Sequence, residues 1–132
     1  MANLATDLSL TLTADRPGTL AAVLEAVAKA RVNIEGYAEV EGILHLLVKD
    51  SPATRRALEG AGFQVREEKE VVLLDVQDKP GVAAGIFRRI ADANVNVNFS
   101  YLATNNRIIV GAESAQKVAD LFPKEKTKAA RK

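Results

Sequence analysis

The sequence predicts an α+β fold of two tandem units, βαββαβ over residues 1–69 and βαββα over 70–122, followed by a basic tail over 123–132. Three observations predict it. First, Asp15-Arg16-Pro17-Gly18 recurs as Asp78-Lys79-Pro80-Gly81, and the same offset of 63 carries Ala30-Arg31-Val32-Asn33-Ile34 onto Ala93-Asn94-Val95-Asn96-Val97. Eight of the twenty positions in 15–34 are identical in 78–97, against roughly one or two expected by chance at average composition. Second, Leu20, Val23, Leu24 and Val27 have the i, i+3, i+4, i+7 spacing of a helix face, and Ala83, Ile86, Phe87 and Ile90 repeat it. Third, Leu8, Leu10 and Leu12 alternate as a half-buried strand does, and so do Val72, Leu74 and Val76.

The elements follow in order. Residues 7–14 read as a strand, Asp15 stands where a helix N-cap belongs, and Pro17 falls in the first turn, where its missing N–H costs nothing. The first helix runs to about Ala30. Strands at 33–40 and 43–49 form a hairpin across Glu41-Gly42, matched by 96–103 and 107–113 across Asn105-Asn106. Ser51-Pro52 opens a second helix that stops at Gly60-Ala61-Gly62. A fourth strand, 63–69, leads almost directly into the first strand of the second unit, 71–77. Leu8, Leu10 and Leu12 lie one residue further from Asp15 than Val72, Leu74 and Val76 lie from Asp78, so either one unit carries a bulge or both sheet faces are covered. The second unit has no evident last strand, since Pro123 and a run of lysines follow Phe122. That leaves a sheet edge to be paired.

Composition excludes several functions. The 132 residues contain no cysteine and one histidine, His45, which rules out disulfides, thiolate metal sites, a cysteine nucleophile and multi-histidine metal sites. No apolar run approaches the roughly 18 residues of a membrane helix, and the N-terminus has no basic segment followed by an apolar block. The expectation is a cytoplasmic protein with no membrane partner. The net charge of +1 hides a local charge of +4 in Pro123–Lys132, leaving residues 1–122 with 13 basic and 16 acidic groups. A slightly acidic folded part argues against a nucleic-acid partner, whose phosphates select a basic face. The tail is expected to be solvated and flexible.

The doubled Asp-x-Pro-Gly turn with Asn at +18 is the constellation that carries chemistry. Gly18 and Gly81 allow close approach to the backbone, and free amides at a helix N-terminus suit a carboxylate. Asp15 or Asp78 can accept from an ammonium group, and Asn33 or Asn96 can hold either end of a zwitterion. Together they describe a seat for a free α-amino acid. The same residues are also ordinary caps and turn formers, so the sequence alone leaves the structural reading open.

On these motifs the chain resembles the ACT domain, here as two copies covering residues 6–69 and 70–122 with no catalytic domain attached. The resemblance implies two ferredoxin-like βαββαβ units, with antiparallel sheets and helices on one face, that pair side by side and bind amino acids as regulatory modules of metabolic enzymes. It implies ligand contacts from Asp15, Gly18, Thr19 and Leu20 with Asn33 and Ile34, and from Asp78, Gly81, Val82 and Ala83 with Asn96 and Val97. The missing last strand and the change from Thr19-Leu20 to Val82-Ala83 are departures from a uniform pair of sites.

The remaining candidates read as structural. His45 shares a strand face with Ile43 and Leu47 and is expected to be partly buried. Arg66-Glu67-Glu68-Lys69-Glu70 reads as a solvated strand face, while Asn96, Asn98 and Ser100 form a polar face that either lines a site or is the wet side of an edge strand. The leading function is a non-enzymatic regulatory protein that binds a free amino acid at a junction between units or chains. Its expected partners are a second copy in a homodimer and an enzyme of amino-acid metabolism. No cofactor or metal is expected. The alternative is a ligand-free assembly module acting on a partner protein, and catalysis ranks last because no nucleophile–base pair can be assembled.

Overall fold

The computed structural model describes residues 2–12 and 16–123, so Asp15 and the tail from Lys124 lie outside the described residues. Ten elements follow in the order β1 (Ala2–Thr11), α1 (Thr19–Lys29), β2 (Ile34–Val40), β3 (Ile43–Val48), α2 (Ser51–Gly60), β4 (Val65–Asp75), α3 (Val82–Asp92), β5 (Val97–Ala103), β6 (Arg107–Ala112) and α4 (Ala115–Leu121). The fold is α+β with antiparallel strand pairing. Contacts divide it into two bodies. A first unit spans Ala5–Lys69, and a second takes the described residues from Glu70 onward together with those of the first four positions.

In the first unit β3 is central, pairing with β1 through Asp7↔Leu47 to Thr11↔Ile43 and with β2 through Ile34↔Val48 to Val40↔Ile43. Leu8 and Leu10 of β1 and Leu44, Leu46 and Val48 of β3 point to one face, where Val23 and Val27 of α1 and Leu58 of α2 complete the core. The helical spacing therefore places α1 as expected, with Leu20 and Leu24 half-buried at its margin. Asp50 caps α2 by accepting from the Ala53 N–H at 3.0 Å. The helix ends at left-handed Gly62 (φ 92°), with the Phe63 N–H returning to the Leu58 carbonyl at 2.8 Å.

The second unit repeats this plan. There β6 pairs with β4 and β5, and its core joins Val72 and Leu74 to Ile108, Val110 and Ala112 beneath Ile90 and Val118. Ala83, the counterpart of Leu20, is exposed, so the apolar stripe of α3 begins at Ile86. After α4 there is no strand among the described residues. Instead, Ala2 at the start of β1 packs against the second unit's core. The expected strand 7–14 thus begins earlier and ends at Thr11, and the two short strands predicted around position 70 are one continuous strand, β4.

Loop length accounts for the one-residue misfit between the repeats. The inward-facing residues of β1 and β3 map onto β4 and β6 at an offset of 64, as in Leu8 to Val72 and Leu44 to Ile108, whereas the helices map at 63. The first unit has one more residue between Leu12 and Gly18. The second recovers it in a three-residue turn, 104–106, where the first has Glu41-Gly42. The strands themselves keep one face inward throughout, and no bulge in β1 is needed. The register shifts lie elsewhere, between Ile34 and Gly36 and, equivalently, between Val97 and Phe99. The opposite faces are buried too, since Asp7, Ser9, Val71 and Leu73 are all less than 9% exposed.

Candidate functional site

The two helices that follow the repeated motif begin later than the sequence suggests. The N-caps of α1 and α3 are Gly18 (φ 96°, ψ −12°) and Gly81 (φ 89°, ψ −14°), three residues beyond Asp15 and Asp78. A helix start in the left-handed region selects glycine, because a Cβ there meets the adjacent carbonyl at a cost of roughly 1–2 kcal/mol. Crowding is not the reason, since a Cβ at either glycine would meet nothing within 4 Å. Pro17 and Pro80 consequently precede the helices instead of sitting in their first turns. Asp78 is an exposed loop residue, not a cap.

These two starts are open. Neither has a side-chain cap among the described residues. The Thr19 N–H reaches the Arg16 carbonyl at 3.4 Å, joined by its own hydroxyl at 3.2 Å, and the Ala22 N–H bonds the Gly18 carbonyl at 2.9 Å. Between them, the Leu20 and Ala21 N–H groups have no acceptor among the described residues. The second unit repeats this arrangement with Val82 N–H to the Lys79 carbonyl at 3.4 Å and Gly85 N–H to the Gly81 carbonyl at 3.0 Å. Such amides, at the positive end of a helix dipole, favour an anionic partner.

A cavity of about 610 Å³ adjoins the first of these starts, lined by Leu12, Arg16, Thr19, Leu20, Glu39, Glu41 and Gly42. The Leu12 N–H donates to the Gly42 carbonyl at 2.6 Å, which ties the end of β1 to the β2–β3 turn. In that turn the Glu39 carboxylate accepts from the Gly42 N–H at 2.8 Å. Glu41 and Gly42 both have positive φ, 49° and 85°, as a two-residue type I′ hairpin requires.

The remaining expected site residues lie elsewhere. Along β3, Ile43 faces Thr11 and Val40 while Val48 faces Ile34, so the glycine start and Asn33 occupy opposite ends of the sheet, roughly 16 Å apart at strand rise. Gly81 and Asn96 are separated in the same way, with Asp75 and Ala103 opposite Arg107 and Val97 opposite Ala112. Ile34 and Val97 turn their side chains to the cores of their units. Gly18, Thr19 and Leu20 are thus brought together, Gly81, Val82 and Ala83 likewise, and neither set meets its own unit's asparagine. Arg16, Glu39 and Glu41 were not singled out as ligand contacts from sequence. Chain direction held the signal, because in β–α–β–β the turn after the second strand returns to the end where the first helix starts.

His45 is partly buried, as expected, and its Nδ1 lies 2.9 Å from Oδ2 of Asp7, a side chain only 2% exposed. The pair spans neighbouring strands, since Ser9 is the residue directly opposite His45. Arg55 bonds Glu68 and Glu59, and these contacts, the Glu68 hydrogen bond foremost, raise its guanidinium above the ordinary arginine range. A second cavity, about 600 Å³ between α1 and α2, is walled largely by alanines and Phe63. Among the described residues no cluster of three or more His, Asp or Glu could hold a metal ion, and no helix is long and apolar enough to cross a membrane.

No protein-family model matches the chain, and no curated protein matches it. Solved structures do match. Protein BT0572 from Bacteroides thetaiotaomicron superposes with a TM-score of 0.70 at 23% identity, over 99% of this chain and 90% of that one. The regulatory subunit of aspartate kinase from Thermus flavus superposes with a TM-score of 0.66 at 20% identity, over 92% of each chain. Escherichia coli aspartokinase III, solved in complex with lysine and aspartate, gives 0.60 at 20% identity over 92% of this chain but 33% of that one. The chain therefore has the fold found in the regulatory subunit of aspartate kinase.

Proposed function

We propose that the chain is a non-enzymatic regulatory protein, two ACT-type units in tandem, that binds a free amino acid at its glycine-capped helix starts. The observation that carries this reading is the open start of α1, where left-handed Gly18 and two N–H groups without acceptors among the described residues border a cavity lined by both charge signs. Anionic and cationic seats in one cleft fit the carboxylate and ammonium of a zwitterion. The shared fold of aspartate kinase regulatory subunits supports the reading. Binding would favour one assembly over another, either a homodimer or a complex with an enzyme of amino-acid metabolism, by its differential affinity for the two states.

The test is a thermal-shift survey of the full chain against the twenty amino acids at millimolar concentration. A ligand at 100 times its Kd stabilises by about 2.7 kcal/mol, which raises Tm by several degrees in a protein of this size. A selective rise with one amino acid or a few is expected, and silence with all twenty removes the proposal. Light scattering with and without that amino acid tests ligand-dependent pairing.

A second reading, a ligand-free module that docks a partner protein, is favoured by large apolar side chains left in solvent, Val40 at 66% and Leu102 at 72% exposure. It predicts thermal-shift silence together with a specific partner lost on Leu102→Ser.

A further inference from the structure

We infer that the first unit's cavity seats the ligand's cationic group on Glu41 and its carboxylate on Arg16, and that Asn33 takes no part. This rests on the amino-acid-binding reading above and assigns its first site. One cavity brings Arg16, from the loop before α1, together with Glu41, from the β2–β3 turn. Neither side chain has a hydrogen-bond or ion-pair partner among the described residues, whereas Lys49, Arg55 and Arg88 are each paired with a carboxylate. Glu39 shares the cavity wall but is engaged by the Gly42 N–H, so it fixes the turn that presents Glu41.

The choice of residue at 41 is not one the turn asks for. The first position of a type I′ turn favours Asn, Asp or Gly, yet here a glutamate holds φ 49°. The second unit's turn meets the same demand with Asn105 (φ 63°) and Asn106 (φ 55°). The repeat also places Lys79 opposite Arg16 in the alignment and Leu102 opposite Glu39, so that unit keeps a cation and has no carboxylate at either turn position. The first cavity therefore selects a ligand bearing a carboxylate and an amine together, and the second unit has no matching cation seat.

The test takes the amino acid giving the largest thermal shift with the full chain and measures its affinity by calorimetry for wild type, Glu41→Gln, Glu41→Asn and Asn33→Ala. Its α-hydroxy acid, with the amine replaced by a hydroxyl, serves as the second probe. Glu41→Gln and Glu41→Asn are expected to weaken binding at least tenfold. Glu41→Asn should do so while raising Tm in the absence of ligand, which separates lost contact from lost fold. Asn33→Ala should stay within twofold of wild type, and the hydroxy acid should bind wild type at least tenfold more weakly than the amino acid. Retained affinity in either Glu41 variant, equal binding of the hydroxy acid, or loss in Asn33→Ala overturns the assignment and leaves the amino-acid reading intact. Absence of any thermal shift in wild type removes the reading itself and the assignment with it.

Discussion

The four helices begin in two different ways. Asp50 and Ser114 cap α2 and α4 with side-chain oxygens that accept from the Ala53 N–H at 3.0 Å and the Lys117 N–H at 3.2 Å. α1 and α3 begin at left-handed glycines with no side-chain cap among the described residues. The capped starts satisfy backbone donors internally, which is a stability device worth about 1 kcal/mol each. The start of α1 leaves the Leu20 and Ala21 N–H groups without an acceptor among the described residues, and α3 repeats its glycine start. On the proposed function, stability falls to the capped helices and recognition to the glycine-started ones.

Substitutions at the two kinds of start should separate these roles. Gly18→Val has the largest expected effect. A β-branched residue in the left-handed region should lower stability by about 2 kcal/mol in urea unfolding and abolish the amino-acid thermal shift. Asp50→Ala should cost about 1 kcal/mol by the same measurement while preserving that shift. Ser114→Ala, at the seven-residue α4, should cost about 0.5 kcal/mol and likewise leave the ligand response alone. If Asp50→Ala removed the ligand response, the division of labour would fail. An effect of similar size and opposite sign is expected at the C-terminal end of α1, where Arg31 holds φ 60° at a position that Asn94 fills in the second unit. Arg31→Gly should raise stability by about 0.5 kcal/mol, because glycine adopts that conformation without strain.

Much of the fold was legible because the signals are local and doubled. The apolar spacing of α1, the Glu41-Gly42 hairpin and the Gly62 stop each follow from a few neighbouring residues. Cap rules weigh residue type and point to the aspartate of the motif, whereas the helices begin three residues on, at Gly18 and Gly81, whose left-handed starts no side-chain oxygen marks in the sequence. The start of β1 at Ala2 was hidden because Ala2 packs against the second unit's core, a partner remote in sequence. Gly18 and Asn33 of one unit stand at opposite ends of its sheet because one helix length separates the ends of a β–α–β crossover, which a fixed spacing in sequence does not reveal. The Asp7–His45 contact joins strands 38 positions apart, and spacing gives no sign of it.

The most direct measurement is a two-dimensional ¹H–¹⁵N spectrum of the full chain, titrated with the amino acid that raises Tm most. The account predicts the largest shifts at the amides of Thr19, Leu20 and Ala21, with Glu41 and Gly42 moving alongside, while Ala53 and Lys117 at the capped starts stay in place. Shifts concentrated at Asn33 or at the capped starts, with the Gly18 region unmoved, would contradict it.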